Sequence, residues 1–172
     1  RTHKVLRISD DIMITNSELR PNLIGKYPDL KGGLKVFDIS DPINPKFLKY
    51  VQTDGVGVHR PIYDRDRKLL YSSGYRDGFD KKILLIHDMK DPANPEFIGQ
   101  GWVEGQKDGE KHSWDNSIVQ NEAWCHEGNP WGNYVTAGWW DGGIVLFDCT
   151  DPTNPKFKWR HNPHETHGWP GC

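Results

Sequence analysis

Three times the chain writes an apolar run ending in aspartate, two spacer residues, and then Asp-Pro-x-Asn-Pro, with the turns starting at Asp41, Asp91 and Asp151. The runs are Gly-Leu-Lys-Val-Phe-Asp (33–38), Ile-Leu-Leu-Ile-His-Asp (83–88) and Gly-Ile-Val-Leu-Phe-Asp (143–148). Lys-Phe-Leu, Glu-Phe-Ile and Lys-Phe-Lys follow the turns and begin a further strand each. Proline fixes φ and lacks an N–H, so two prolines three apart stop strand pairing and force a corner. The Asp and Asn side chains can bond nearby backbone N–H groups and hold that corner. A repeat of about 50 to 60 residues is the signature of an array or propeller, which excludes most other folds at once.

Working outward from the turns predicts four strands per unit. The first unit reads His3–Ile8, Asp11–Thr15, Leu34–Asp38 and Lys46–Val51. The second reads His59–Tyr63, Leu69–Gly74, Ile83–Asp88 and Glu96–Val103, and the third Asn116–Val119, Asn133–Gly138, Gly143–Asp148 and Lys156–Arg160. Head-to-tail antiparallel units of four strands are the blades of an all-β propeller. The whole chain, 1–172, is thus expected to be one propeller portion with blades at about 3–52, 59–103 and 112–160. The start of a fourth falls at His164–Cys172, and the chain opens at Arg1 without a methionine. Both point to a processed or partial product, completed by the remaining blades or by other subunits.

Composition fits short strands and tight turns: 12 prolines, 18 glycines and 12% aromatic residues in a chain only 35% hydrophobic. A net charge of −2 gives no footprint for nucleic acid or an anionic membrane. No stretch approaches the roughly 20 apolar residues of a membrane span. Cys125, Cys149 and Cys172 lack CxxC spacing, and one pair of them is open to a disulfide. A GxSxG elbow, a P-loop and a Rossmann fingerprint are all absent from the sequence.

"GLKVFDISDPINPKFLKY" and "GIVLFDCTDPTNPKFKW" resemble the LVIVD-repeat family, named for its strand before a D-x-S-D-P-x-x-P turn. The middle copy departs by carrying His87 where the others have Phe37 and Phe147. The resemblance implies a propeller-like fold and an exported or cell-surface protein, extracellular or periplasmic. It assigns no role.

The eight histidines carry the functional expectation. His3, His59 and His112 each open the first strand of a blade, and His164 or His167 stands at the same place in the incipient fourth. First strands line a propeller's channel, so these imidazoles are expected to converge from separate blades. A ring of neutral imidazoles suits a divalent transition metal: Fe, Cu, Zn or Mn. In layout alone this is similar to the carotenoid-cleaving oxygenases and the selenium-binding proteins. The competing reading is a brace, as in WD-repeat propellers, where one histidine per blade bonds an aspartate. His87 inside a strand, His126 in a loop on the opposite face and His161 after the last strand are weaker candidates.

The loops between second and third strands share the histidine face. They offer Glu18, Asp77 and Asp141 as acid, base or orienting carboxylates, Arg76 for an anionic group, and Trp139 and Trp140 to wall a small-molecule ligand. Asp-Gly here is equally an ordinary turn signal, and packing is the default role for tryptophan. The polar stretch from Trp102 to Asn116 and the loop from Glu18 to Gly33 are long enough to cover the channel mouth. Two readings remain: a metal-dependent oxidoreductase- or lyase-like propeller, or a non-enzymatic binding scaffold whose histidines are structural.

Overall fold

The computed structural model describes residues 6–20, 26–27, 29–111 and 123–161, with side chains from Asp10 onward. Among these residues, twelve strands form three four-stranded antiparallel sheets, each in chain order. Blade one holds β1 (Leu6–Ser9), β2 (Ile12–Ser17), β3 (Gly33–Asp38) and β4 (Lys46–Gln52). Blade two holds β5 (Asp54–Asp64), β6 (Leu69–Tyr75), β7 (Ile83–Asp88) and β8 (Glu96–Gly101). Blade three holds β9 (Glu127–Trp131), β10 (Tyr134–Gly138), β11 (Ile144–Asp148) and β12 (Lys156–His161). Among the described residues no helix is long and apolar enough to cross a membrane.

The Asp-Pro-x-Asn-Pro corners join third to fourth strand in every blade. Asp41 Oδ1 accepts from the N–H of Ile43 (3.1 Å) while its Oδ2 accepts from Asn44 Nδ2 (2.8 Å). Asp91 repeats this with Ala93 (3.0 Å) and Asn94 (2.7 Å). Asp151 accepts from both the N–H and the hydroxyl of Thr153, at 2.9 and 2.6 Å. The aspartate thus holds the turn as expected, and in two copies the asparagine holds the aspartate. Just past each turn the ladder slips by one residue, between Val36/Phe37, Ile86/His87 and Leu146/Phe147. Each bulge sets two rings edge to face: Phe37–Phe47 (5.5 Å), His87–Phe97 (5.6 Å) and Phe147–Phe157 (6.2 Å).

One expected strand is placed differently. Asn116–Val119 lies outside the described residues, and the first strand of blade three is Glu127–Trp131, although Gly128 and Pro130 are residues that strands disfavour. Both fit because β9 is an edge strand, where a missing N–H costs no ladder bond. Gly128 is needed, since a Cβ there would stand 2.5 Å from Leu84 Cδ1.

The core lies between blades. Ile14, Leu34 and Val36 of blade one meet Val58, Leu70, Ile83 and Leu85 of blade two. The alternate side chains of the same strands, Leu69, Tyr71, Leu84 and Ile86, meet Val135, Ala137, Trp139, Val145 and Phe147 of blade three. Blade two is therefore buried on both faces, as its near-continuous apolar strand sequence requires. Each such leucine or isoleucine contributes roughly 1.5–3 kcal/mol on burial. Arg67 ties the far end of the junction: its Nη2 donates to the carbonyls of Cys149 (2.7 Å) and Thr150 (3.4 Å), and its Nη1 to that of Gly132 (3.4 Å).

His87 occupies a phenylalanine position inside this core and is 2% exposed. Burial pushes its pKa down from 6.5 to about 4. The folded state thus refuses a proton that the unfolded chain accepts below its ordinary pKa. Stability is full above about pH 6.5 and declines as the pH falls toward 4, by about 2 kcal/mol at pH 5. His87→Phe, restoring the residue of the other copies, removes this loss. Thermal unfolding at about pH 7 and pH 5 checks it: the melting temperature of the variant falls less between the two conditions than that of the native protein.

Candidate functional site

The site begins where β2 leaves blade one. Asn16 Nδ2 donates to the Val58 carbonyl (2.9 Å) and the N–H of Leu19 to that of Val56 (2.7 Å), pinning the end of β2 to β5. Contact this close needs Gly57: its φ is +100°, and a Cβ would lie 2.2 Å from the Ser17 carbonyl oxygen. The consequence is that Glu18, one residue past β2, reaches His59 on β5.

His59 Nδ1–H donates to Glu18 Oε2 at 2.6 Å, and Lys82 Nζ donates to Oε1 of the same carboxylate. A carboxylate only accepts, so this contact fixes which ring nitrogen carries the proton. The three side chains are 10–16% exposed. Burial by itself would raise the pKa of Glu18; the hydrogen bonds from His59 and Lys82, together with their charges, more than offset it and bring the value to about 2.

A second imidazole comes from blade three. The N–H of Cys125 donates to the Lys82 carbonyl (2.9 Å) and that of His126 to the Gly138 carbonyl (2.8 Å), which carries residues 123–126 alongside β7. The rings of His59 and His126 stand 4.9 Å apart. Burial holds the pKa of His126 below its ordinary value, with the cations nearby adding to the effect. Trp140 meets His126 edge-on at 6.1 Å and stacks on Trp124 at 6.0 Å, while Lys82 lies 5.7 Å over Trp124. Arg60, next to His59, has a φ of 41°, and Trp140 one of 44°. Left-handed backbone at bulky residues is uncommon, and here it flanks both imidazoles.

Of the residues singled out from sequence, Glu18, His59 and Trp140 come together here. Asp141 is buried in the short 3-10 turn Trp140–Gly142. Trp139 is fully buried between blades two and three, its indole N–H bonded to Gln106 Oε1 (2.8 Å) and its ring 5.7 Å from Phe147. Arg76 pairs with Asp54 at 3.6 Å, and Asp77 lines a separate hollow of about 410 Å³ with Leu19, Tyr27 and Asp54. His3, His112, His164 and His167 lie outside the described residues. His161 stacks on Trp159 at the outer strand of blade three. A groove of about 670 Å³ between Trp102, Phe147, Lys156, Phe157 and Arg160 includes none of the histidine cluster.

His126 is a correction. Expected in a loop on the opposite face, it stands beside His59, because the first strand of blade three starts just after it at Glu127; His59, expected to open its strand, lies inside β5. The signal was present in the sequence as Cys-His-Glu-Gly ahead of Trp131-Gly-Asn, a hairpin turn. Cys125 and Cys149 are buried free thiols, so they form no disulfide with each other, and burial pushes the pKa of both up.

For a metal, the described residues give a partial fit: two imidazoles adjoin with a carboxylate on one of them, but among the described residues no three His, Cys, Asp or Glu side chains cluster as a complete ligand set. The stretch expected to cover the mouth is anchored where it is described. Gln106, 4% exposed, donates to the carbonyls of Lys82 (3.1 Å) and Ala123 (2.9 Å) and accepts from Trp139 Nε1 and the Val103 N–H. Phe79 and Lys107 add a β-bridge to the loop between β6 and β7.

These three antiparallel blades, packed face to face, are a β-propeller-like arrangement. The LVIVD-repeat family model matches residues 21–53 and 131–162, segments that fall in the first and third blades. No curated protein matches the sequence. Among solved structures, a crystal structure of the computationally designed Ika8 protein is similar at 13% identity with a TM-score of 0.43, over 93% of this chain and 49% of that one. The chain thus spans about half the length of that protein.

Gln106 is the polar link that holds the segment beneath the histidines. Gln106→Leu strands the Trp139 indole N–H and several buried carbonyls, which costs about 3 kcal/mol of unfolding free energy. Urea unfolding, followed by tryptophan fluorescence, measures the loss; an unchanged midpoint refutes this role.

Proposed function

We propose that this chain is the histidine-bearing part of a metal-binding propeller, with His59 and His126 as two of the ligands. The observation that carries the reading is adjacency across blades: Glu18 of blade one bonds His59 of blade two, whose ring stands beside that of His126 from blade three. Metal-bound histidine characteristically gives its other ring N–H to a carboxylate, and Glu18 stands in that relation to His59. Metal binding requires a neutral imidazole, and the lowered pKa of His126 supplies one at neutral pH. His3, His112, His164 and His167 are the sequence candidates for the remaining ligands. Fe, Cu, Zn and Mn all accept imidazole. Trp140 offers an aromatic wall for a small organic molecule beside the centre, which suits oxidoreductase or lyase chemistry.

One observation favours a second reading. Glu18 is engaged on both oxygens, by His59 and Lys82, across the junction of blades one and two. That is also how a brace is built, and it would serve a non-enzymatic binding or scaffold propeller.

Elemental analysis of untagged protein, purified without chelator, separates the two. The metal reading expects a transition metal in stoichiometric amount, lost in His59→Ala and His126→Ala, and bound 10- to 100-fold more weakly in Glu18→Gln by the usual cost of losing an orienting partner. A native protein free of metal, which also gives no ligand-field bands with Co²⁺, overturns it. The brace reading expects the same substitutions to lower the melting temperature and nothing else.

A further inference from the structure

Blades two and three meet along more than their apolar core. Glycines on β8 let blade three come close: a Cβ at Gly99 would stand 2.0 Å from the Pro152 carbonyl oxygen, and one at Gly101 3.0 Å from Phe147 Cε1. Beyond Gly101 the chain continues Trp-Val-Glu, and the groove of about 670 Å³ opens there, a size that suits a small organic ligand. Its most deeply buried lining residues are Val103 and Phe147, each 1% exposed. Blade two adds Trp102, and blade three adds Phe157, which is 49% exposed and edge-on to Phe147 at 6.2 Å.

Blade two shows what the same ring holds when the chain covers it itself. Phe97 corresponds to Phe157, since the two oppose His87 and Phe147 at the same ladder position. Arg76 lays its guanidinium over the Phe97 ring at 4.4 Å. Counting from the shared pairs Leu69–Asp88 and Tyr134–Asp148, blade three has Asp141 in place of Arg76, buried in its own turn. That loop therefore supplies no guanidinium to Phe157. The rim differs as well. Glu96 and Gln100 of β8 correspond to Lys156 and Arg160 of β12, and both of these line the groove, against one carboxylate, Glu104, from blade two. Arg160 Nη1 donates to the Gly142 carbonyl (3.3 Å), which holds the guanidinium in place with one of its five N–H groups. Where blade two sets a cation above its ring and an acid beside it, blade three sets cations beside a half-exposed ring.

We propose that this groove is a binding site for a small planar aromatic carboxylate. The ligand's ring packs on Phe157 and Trp102, in the manner in which Arg76 packs on Phe97, and its carboxylate is held at the rim by Lys156 and Arg160. The site is separate from the histidine cluster and does not depend on a metal there.

Naphthoate is the probe, titrated into the native chain by calorimetry. It binds saturably, and its neutral methyl ester binds about tenfold more weakly, the usual worth of a hydrogen bond to a charged group. Lys156→Glu, at an exposed position, weakens naphthoate by at least the same factor without lowering the melting temperature. Phe157→Ala also weakens it, and Phe157→Leu takes its place should the alanine variant fold poorly by circular dichroism. His59→Ala leaves the affinity unchanged. Absence of saturable binding, an ester that binds as well as the acid, affinity untouched by Lys156→Glu and the Phe157 variant, or binding lost in His59→Ala overturns the proposal.

Discussion

Burial of blade two on both faces is the constraint on which the rest depends. Its strands β6 and β7 send Leu70, Ile83 and Leu85 one way and Leu69, Tyr71, Leu84 and Ile86 the other. Alternation along a strand makes this automatic, since successive side chains point to opposite faces. A sheet of that composition has no stable existence in water alone, so its neighbours are held at a fixed spacing by the hydrophobic effect. The histidine cluster inherits that spacing. Glu18 can share its carboxylate between His59 and Lys82 only because blade one lies flush against β5, and His126 can stand beside His59 only because blade three lies flush on the other side.

Within the cluster the energetics favour order over flexibility. A buried carboxylate is costly unless it is bonded, and Glu18 is bonded on both oxygens to two donors from the adjacent blade. The left-handed backbone at Arg60 and Trp140 is the sort of local cost that a rigid frame can sustain. Gln106 extends the frame beneath, tying the chain between β8 and β9 to Lys82 and Trp139 by side-chain bonds that leave little freedom.

The fold was legible because its markers are local. An Asp-Pro-x-Asn-Pro corner is decided by five residues, and the three corners then place β3, β4, β7, β8, β11 and β12. The first strand of blade three was not legible, because Gly128 and Pro130 are turn residues by habit and strand residues only at an edge, a matter of neighbours and not of sequence. The site was legible in part for the same reason. Glu18 and His59 were reached by counting from the corners. His126 was missed because its place depends on that misjudged strand, and Lys82 because a lysine at a strand's start reads as solvated surface. Trp139 and Trp140 adjoin in sequence, yet one is core and the other is at the cluster. The chain turns sharply at Trp140, itself left-handed, and periodicity carries no trace of it.

Arg67 bonds to blade three through the carbonyls of Gly132, Cys149 and Thr150, and so it reads backbone and not side chains. A contact of that kind is blind to the identity of the residues it holds but sensitive to their number. Substitution at the exposed Thr150 leaves its carbonyl where it is, whereas the side chain of Cys149 is held by burial in the core between blades. Insertion or deletion there moves the carbonyls off the guanidinium and undoes the clasp. At Thr150, freedom in the letter and rigidity in length thus have a single cause.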